Sequence, residues 1–250
     1  MPYDAFLAET VTIHGHGGDA IEAYAARPLR PEPRGGVVVI HHMPGYDRAT
    51  KEITRRFAEA GFNAICPNLY SREAPGAAPD DAAAAARARG GVPDDRLVGD
   101  VAGAATYLRE LSNANGKVGV IGYCSGGRQA VLAACSLDIN AAVDCYGAFV
   151  VSPPPPGAPL AVRPLTDELP KLRCPLLGLF GADDAHPSPA ETAEFEKILA
   201  EHGKTYEFHT YNGAGHAFFA VDRPSYRPEA ANDGWQRILE WFQRYLATGA

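Results

Sequence analysis

The sequence predicts an α/β fold: a mainly parallel central sheet, helices on both faces, and an antiparallel hairpin supplying strands at one edge. Three observations predict it. Short continuous apolar runs recur along the chain, as strands buried on both faces require. Helical stretches separate these runs, and strand–helix alternation is the mark of parallel βαβ units. The first two strand-like segments alternate in period two around a glycine-rich turn, as a hairpin does.

The elements follow in order. Residues 9–14 and 21–27 form the hairpin around Gly15-His16-Gly17-Gly18-Asp19. Residues 36–42 (GVVVIHH) are the first buried strand. Residues 51–60 form a helix with Ile53, Phe57 and Ala60 on one side and Gly61 as its C-cap. Residues 63–67 are a strand, and residues 75–89, rich in Ala, Pro and Asp, a loop plus a short helix. A helix over 94–111 places Leu97, Val101, Ala104, Ala105 and Leu108 inward. Strand 117–123, helix 125–136 and strand 141–147 come next. Residues 152–164 (SPPPPGAPLAVRP) are too proline-rich for either element and read as a surface excursion of polyproline character. That excursion is either a semi-rigid loop or a cover for a site at the preceding strand end. Strand 175–181, helix 191–202, strand 204–211 and helix 234–246 complete the pattern. The last helix lines up Trp235, Ile238, Leu239, Phe242 and Leu246. No Ser/Gly linker and no repeat interrupts the series, so residues 1–250 read as one domain.

Composition narrows the function. The net charge of −7 argues against nucleic acid and against electrostatic docking to an anionic membrane. No apolar run approaches the roughly 20 residues of a membrane span. The N-terminus lacks a basic stretch leading into an apolar one, so no secretory signal is expected. The five cysteines are odd in number and include no CxxC pair. A disulfide framework or zinc site is therefore not expected, and a cytoplasmic protein is. As to assembly, a monomer or small homo-oligomer is the expectation.

The chemistry centres on Lys117-Val-Gly-Val-Ile-Gly-Tyr-Cys-Ser-Gly-Gly-Arg128. A strand runs into Gly122-Tyr123-Cys124-Ser125-Gly126 and a helix follows, which is the G-x-nucleophile-x-G elbow with cysteine at its centre. Glycines are needed where side chains would collide with neighbouring backbone. The helix start aims free N–H groups at Cys124, which favours the attacking thiolate. Cys66, Cys135, Cys145 and Cys174 read as packing residues in strands or on an apolar helix side. An acid and a histidine should follow on later strand ends. Strand 175–181 ends in Gly181-Ala182-Asp183-Asp184, and strand 204–211 leads to Gly213-Ala214-Gly215-His216. Asp184 fits the G-x-x-D form, with Asp183 as the alternative. His216 would exchange the proton and the acid would fix its tautomer. Two backbone N–H groups should hold the oxyanion, those of Ser125 and Met43. Of the adjacent His41 and His42, one should face the site, since neighbours on a strand point oppositely. His14 and His16 belong to the hairpin turn.

The chain resembles the dienelactone hydrolase family of α/β-hydrolases over nearly its whole length. The resemblance rests on His42-Met-Pro-Gly45, Cys66-Pro-Asn-Leu-Tyr70, Gly122-Tyr-Cys-Ser-Gly-Gly127, Tyr146-Gly147, Gly181-Ala-Asp-Asp184 and Gly215-His-Ala-Phe218. It implies the α/β-hydrolase fold, a Cys124–His216–Asp184 triad, an oxyanion hole at Met43 and Ser125, and a carboxymethylenebutenolidase-like activity. That activity cleaves a small ester or lactone through an acyl-thioester, with no cofactor or metal. His42, Tyr146, Phe218 and Arg87 are the pocket positions it suggests. His42 stands where well-known members carry a glutamate, and Ala220 where they carry a carboxylate-binding arginine. Arg89, Arg96, Arg128 and Arg223 are further arginines to place. The competing readings are a thiol-based redox protein, a non-catalytic ligand-binding module on a hydrolase fold, and a hydrolase using Ser125.

Overall fold

The computed structural model describes residues 5–158 and 160–247. Eight strands form one sheet: β1 (Phe6–His14), β2 (Ala20–Pro28), β3 (Arg34–Ile40), β4 (Asn63–Pro67), β5 (Ala114–Tyr123), β6 (Ala141–Cys145), β7 (Leu176–Gly181) and β8 (Tyr206–Tyr211). Their order is β1-β2-β4-β3-β5-β6-β7-β8. β4 through β8 in that order run parallel, while β2 pairs antiparallel with both β1 and β4. The predicted mainly parallel sheet with an N-terminal antiparallel hairpin is what the chain forms.

Among the described residues six α-helices cover it: α1 (Arg48–Glu59), α2 (Pro79–Ala88), α3 (Asp94–Glu110), α4 (Ser125–Ser136), α5 (Pro189–Glu201) and α6 (Pro228–Leu246). Side chains alternate across the sheet and split the core in two. Val38, Ile40, Val118 and Val120 join the cluster containing residues of α2 to α5. Val37, Val39, Ile121 and Val143 join the cluster with Phe57 of α1 and Trp235, Ile238 and Phe242 of α6.

Several boundaries differ from the sequence reading, and three of them have a specific physical reason. The strands read as 36–42 and 141–147 end two residues earlier, at Ile40 and Cys145. His41 turns its ring onto nearby backbone, and Tyr146 adopts φ 45°, outside any strand. Helix α6 begins at Pro228, six residues before Gly234. Gly234 looks like a helix start in sequence, yet it lies inside the helix, and it is glycine there because a Cβ would sit 2.4 Å from the Phe219 ring. The proline-rich segment, of which residue 159 lies outside the described residues, docks on the turn after α2. There Ala161 donates its N–H to Gly90 O at 2.8 Å, and Leu160 lies against Gly91.

Candidate active site

Cys124 is the N-cap of α4, with φ 57° and ψ −123°, and its side chain is partly exposed. The two glycines around it are sterically obligatory. A Cβ at Gly122 would lie 1.8 Å from Gly126 O, and one at Gly126 would lie 2.5 Å from Ile40 O and 2.8 Å from His41 O. The second contact shows how closely the 40–41 backbone is drawn down onto the elbow. The N–H of Cys124 is tied to Cys145 O at 3.0 Å, so the turn is anchored to the neighbouring strand.

Asp184 follows β7 and is nearly buried. Its Oδ2 accepts a 2.8 Å hydrogen bond from His216 Nδ1, and its Oδ1 accepts from the His186 N–H at 2.9 Å. Asp183 points its side chain outward. The other partner of the His216 ring is the Cys124 sulfur. Burial pulls the His216 pKa down, but hydrogen bonds to Asp184 and Cys124, with their charges, outweigh it and raise it to about 10. The structure thus brings Cys124, His216 and Asp184 into one chain of contacts.

Four non-glycine residues among those described have left-handed φ, and all border this chain: Cys124 itself, Tyr146, Phe149 and Ala217 (φ 57°, 45°, 66° and 62°). The Tyr146 ring meets His216 edge-on at 5.2 Å, and Phe149 lies against His186, next to the acid loop. Such conformations cost on the order of 1–3 kcal/mol each and gather where geometry is imposed for function.

The pocket positions fall out unevenly. Tyr146 packs on the His216 ring. Phe218 is wholly enclosed and stacks on Phe219 behind Tyr146, because the chain turns inward at Ala217. His42 gives its Nε2 to Asp47 at 2.6 Å, the residue that caps α1. His41 is enclosed, with both ring nitrogens on backbone groups. Arg87, half-buried on α2, lies near the Tyr70 hydroxyl, which also senses Cys124. Arg128 is buried in a two-pronged bond to Asp94, and Arg96 pairs with Glu73, so both serve the scaffold. Arg223 brings its charge towards Tyr146. Ser125 opens α4, where its N–H has no helical acceptor. Met43 lies on the loop after β3, and its carbonyl accepts from Tyr70 at 2.9 Å. In sequence Tyr70 is only the end of the Cys66–Tyr70 motif, and His41 only one of two adjacent histidines of which one should face the site; their bonds to backbone leave no sequence signal.

The model of the dienelactone hydrolase family matches residues 21–246. The chain belongs to that family. An Escherichia coli K12 protein named "putative carboxymethylenebutenolidase" is 35% identical over 98% of this chain and 89% of its own length. A Bradyrhizobium protein named "probable 2-oxo-3-(5-oxofuran-2-ylidene)propanoate lactonase" is 32% identical over 93% of this chain and 92% of its own. A crystal structure described as a "putative dienelactone hydrolase" from Klebsiella pneumoniae superposes with a TM-score of 0.82 at 32% identity, covering 97% of this chain and all of that one. The chain is accordingly a carboxylic ester hydrolase acting on ester or lactone bonds. Among the described residues no helix is long and apolar enough to cross a membrane.

Proposed function

We propose that the chain hydrolyses lactones or esters with Cys124 as nucleophile, His216 as proton carrier and Asp184 as the group that orients it. The observation carrying this reading is the Asp184–His216–Cys124 contact chain, in which the imidazole is held in its charged form well above neutrality. The thiolate sulfur attacks the carbonyl carbon, and the carbonyl electron pair moves to oxygen. The N–H groups of Met43 and Ser125 receive that oxyanion. Collapse breaks the C–O bond, the leaving oxygen takes the proton from His216, and an acyl-thioester remains. Neutral His216 then accepts a proton from water as that water attacks the thioester. The sulfur departs as thiolate, the carboxylic acid is released, and the starting ion pair returns. Asp184 keeps Nδ1 protonated throughout, so Nε2 does the exchange.

The substrate is a small lactone or ester bearing a carboxylate. The charges of Arg87 and Arg223 act on Tyr70 and Tyr146 beside the site, and the Bradyrhizobium relative is named for a lactone that carries a carboxylate. The thiol nucleophile and four further reduced cysteines suit a cytoplasmic setting. A panel of lactones and esters, each with and without a free carboxylate, tests this against wild type, Cys124→Ala and Cys124→Ser. Wild-type turnover that favours the carboxylate-bearing members and vanishes in Cys124→Ala is expected. Turnover persisting in Cys124→Ala would sink the mechanism. Indifference to the carboxylate would sink the substrate class.

A further inference from the structure

The loop after β3 carries a set of hydrogen bonds that the chemistry above does not use. His41 is 2% exposed, yet both ring nitrogens are satisfied by main chain. Its Nε2 accepts the Leu69 N–H at 3.2 Å. A backbone amide can only donate, so Nε2 carries no proton and the ring's single hydrogen sits on Nδ1. That Nδ1–H donates to His42 O at 2.9 Å. The Gly45 N–H donates to the same oxygen, also at 2.9 Å. The Tyr70 ring stands edge-on to His41 at 4.6 Å, and its hydroxyl holds the next carbonyl, Met43 O, at 2.9 Å.

The carbonyl that receives two of these bonds belongs to the peptide unit joining His42 to Met43. In a trans peptide the N–H points opposite to the C=O. Fixing His42 O from one side therefore aims the Met43 N–H to the other. Two donors on the oxygen also polarise the amide, which strengthens its N–H as a donor. We propose that His41 is a positioning residue that orients and polarises the Met43 peptide as an oxyanion donor, and that it does so in a single tautomer fixed by Leu69. The proposal rests on the cysteine-hydrolase reading above and adds a residue to it. Burial lowers the His41 pKa to about 4, against smaller effects of its neighbours, so the ring stays neutral and keeps this bonding pattern at working pH.

Two substitutions separate the roles of the two nitrogens. In His41→Asn the amide nitrogen takes the place of Nδ1 and keeps the donor to His42 O, but the Leu69 N–H loses its acceptor. In His41→Gln the side-chain oxygen takes the place of Nε2 and keeps Leu69, but the donor to His42 O is lost. Each leaves one backbone group without its ring partner, so their folding burdens match. Three readouts are compared with wild type: kcat, KM, and the rate at which iodoacetamide alkylates Cys124, a displacement that forms no oxyanion.

His41→Gln is expected to lower kcat on the order of 10–100-fold, short of or equal to deletion of an oxyanion donor, with KM and alkylation within about twofold of wild type. His41→Asn is expected to retain most of kcat. Equal loss of kcat in both variants, no loss in either, or a fall in alkylation that tracks kcat would each overturn the proposal, because a merely structural histidine predicts those results. Failure of the underlying reading looks different: Cys124→Ala would then turn over substrate as wild type does.

Discussion

His216 is the residue whose charge state organises the site, and its two partners act on it in separable ways. Burial alone lowers its pKa, and the Asp184 and Cys124 bonds reverse that effect. Removing the sulfur leaves the burial and deletes part of the opposing force. Cys124→Ala should therefore bring the His216 pKa down from about 10, read by NMR titration of its ring protons, and a value still near 10 would remove Cys124 from the list of partners. Asp184→Asn takes away the acceptor that fixes Nδ1–H, so kcat should fall on the order of 10²–10⁴-fold with Cys124 still present and able to be alkylated. The three members of this chain were legible in sequence because each sits in a glycine-framed turn at a strand end. The backbone bonds of Tyr70 and His41 were not. A tyrosine and a histidine that bond to backbone leave no pattern of their own, since their partners are main-chain groups common to every residue.

Elements show the same division between what local sequence encodes and what packing decides. The elbow was visible because its glycines frame a strand-to-helix turn; Gly122 is demanded by Gly126 O four residues on, and Gly126 by the distant Ile40 and His41 carbonyls. Gly122→Ala would push a methyl group to 1.8 Å from Gly126 O, a main-chain atom that no side-chain rotation can clear. A loss of more than about 3 kcal/mol, measured as a lower urea midpoint, is expected. The start of α6 was misplaced because Gly234 reads as punctuation, whereas its reason is the distant Phe219 ring. The sign of a substitution there is informative. Propensity alone predicts that Gly234→Ala stabilises a helix interior by up to about 1 kcal/mol. The Cβ would instead meet Phe219 at 2.4 Å, and Phe219 stacks on Phe218 at 4.7 Å, two residues beyond His216. Overpacking costs about 1–3 kcal/mol, so it outweighs the propensity gain. Gly234→Ala should lower both thermal stability and kcat; a higher Tm with unchanged kcat would show that the contact relaxes freely.

For the molecule as a whole, the class of fold followed from strand–helix alternation, but the order β1-β2-β4-β3-β5 did not, because alternation does not say which neighbour a strand takes. Nor did one anomaly inside the apolar run of β6. Asp144 is fully buried there, its Oδ1 accepting the Gly147 N–H at 2.7 Å and its Oδ2 without a partner. Burial raises its pKa to about 7, against the smaller pull of the Gly147 bond, so it behaves in the fold largely as a neutral acid. Global stability then carries two opposing slopes. An acid with a raised pKa binds its proton in the fold after the unfolded chain has lost it, so between about pH 4 and 7 Asp144 makes stability fall as pH rises. His41, lowered to about 4, does the reverse: from 6.5 down to about 4 the unfolded chain takes up a proton that the fold refuses, so stability falls as pH drops. Over that shared window the two slopes, each at most about 1.4 kcal/mol per pH unit, cancel in wild type. Asp144→Asn keeps an acceptor for Gly147 and removes one slope. Urea unfolding across pH 4.5–6.5 should therefore show stability of the variant rising with pH relative to wild type by about 1 kcal/mol or more per unit. Parallel curves for the two proteins would mean that Asp144 is already ionised in the fold and that its unpartnered oxygen has found water.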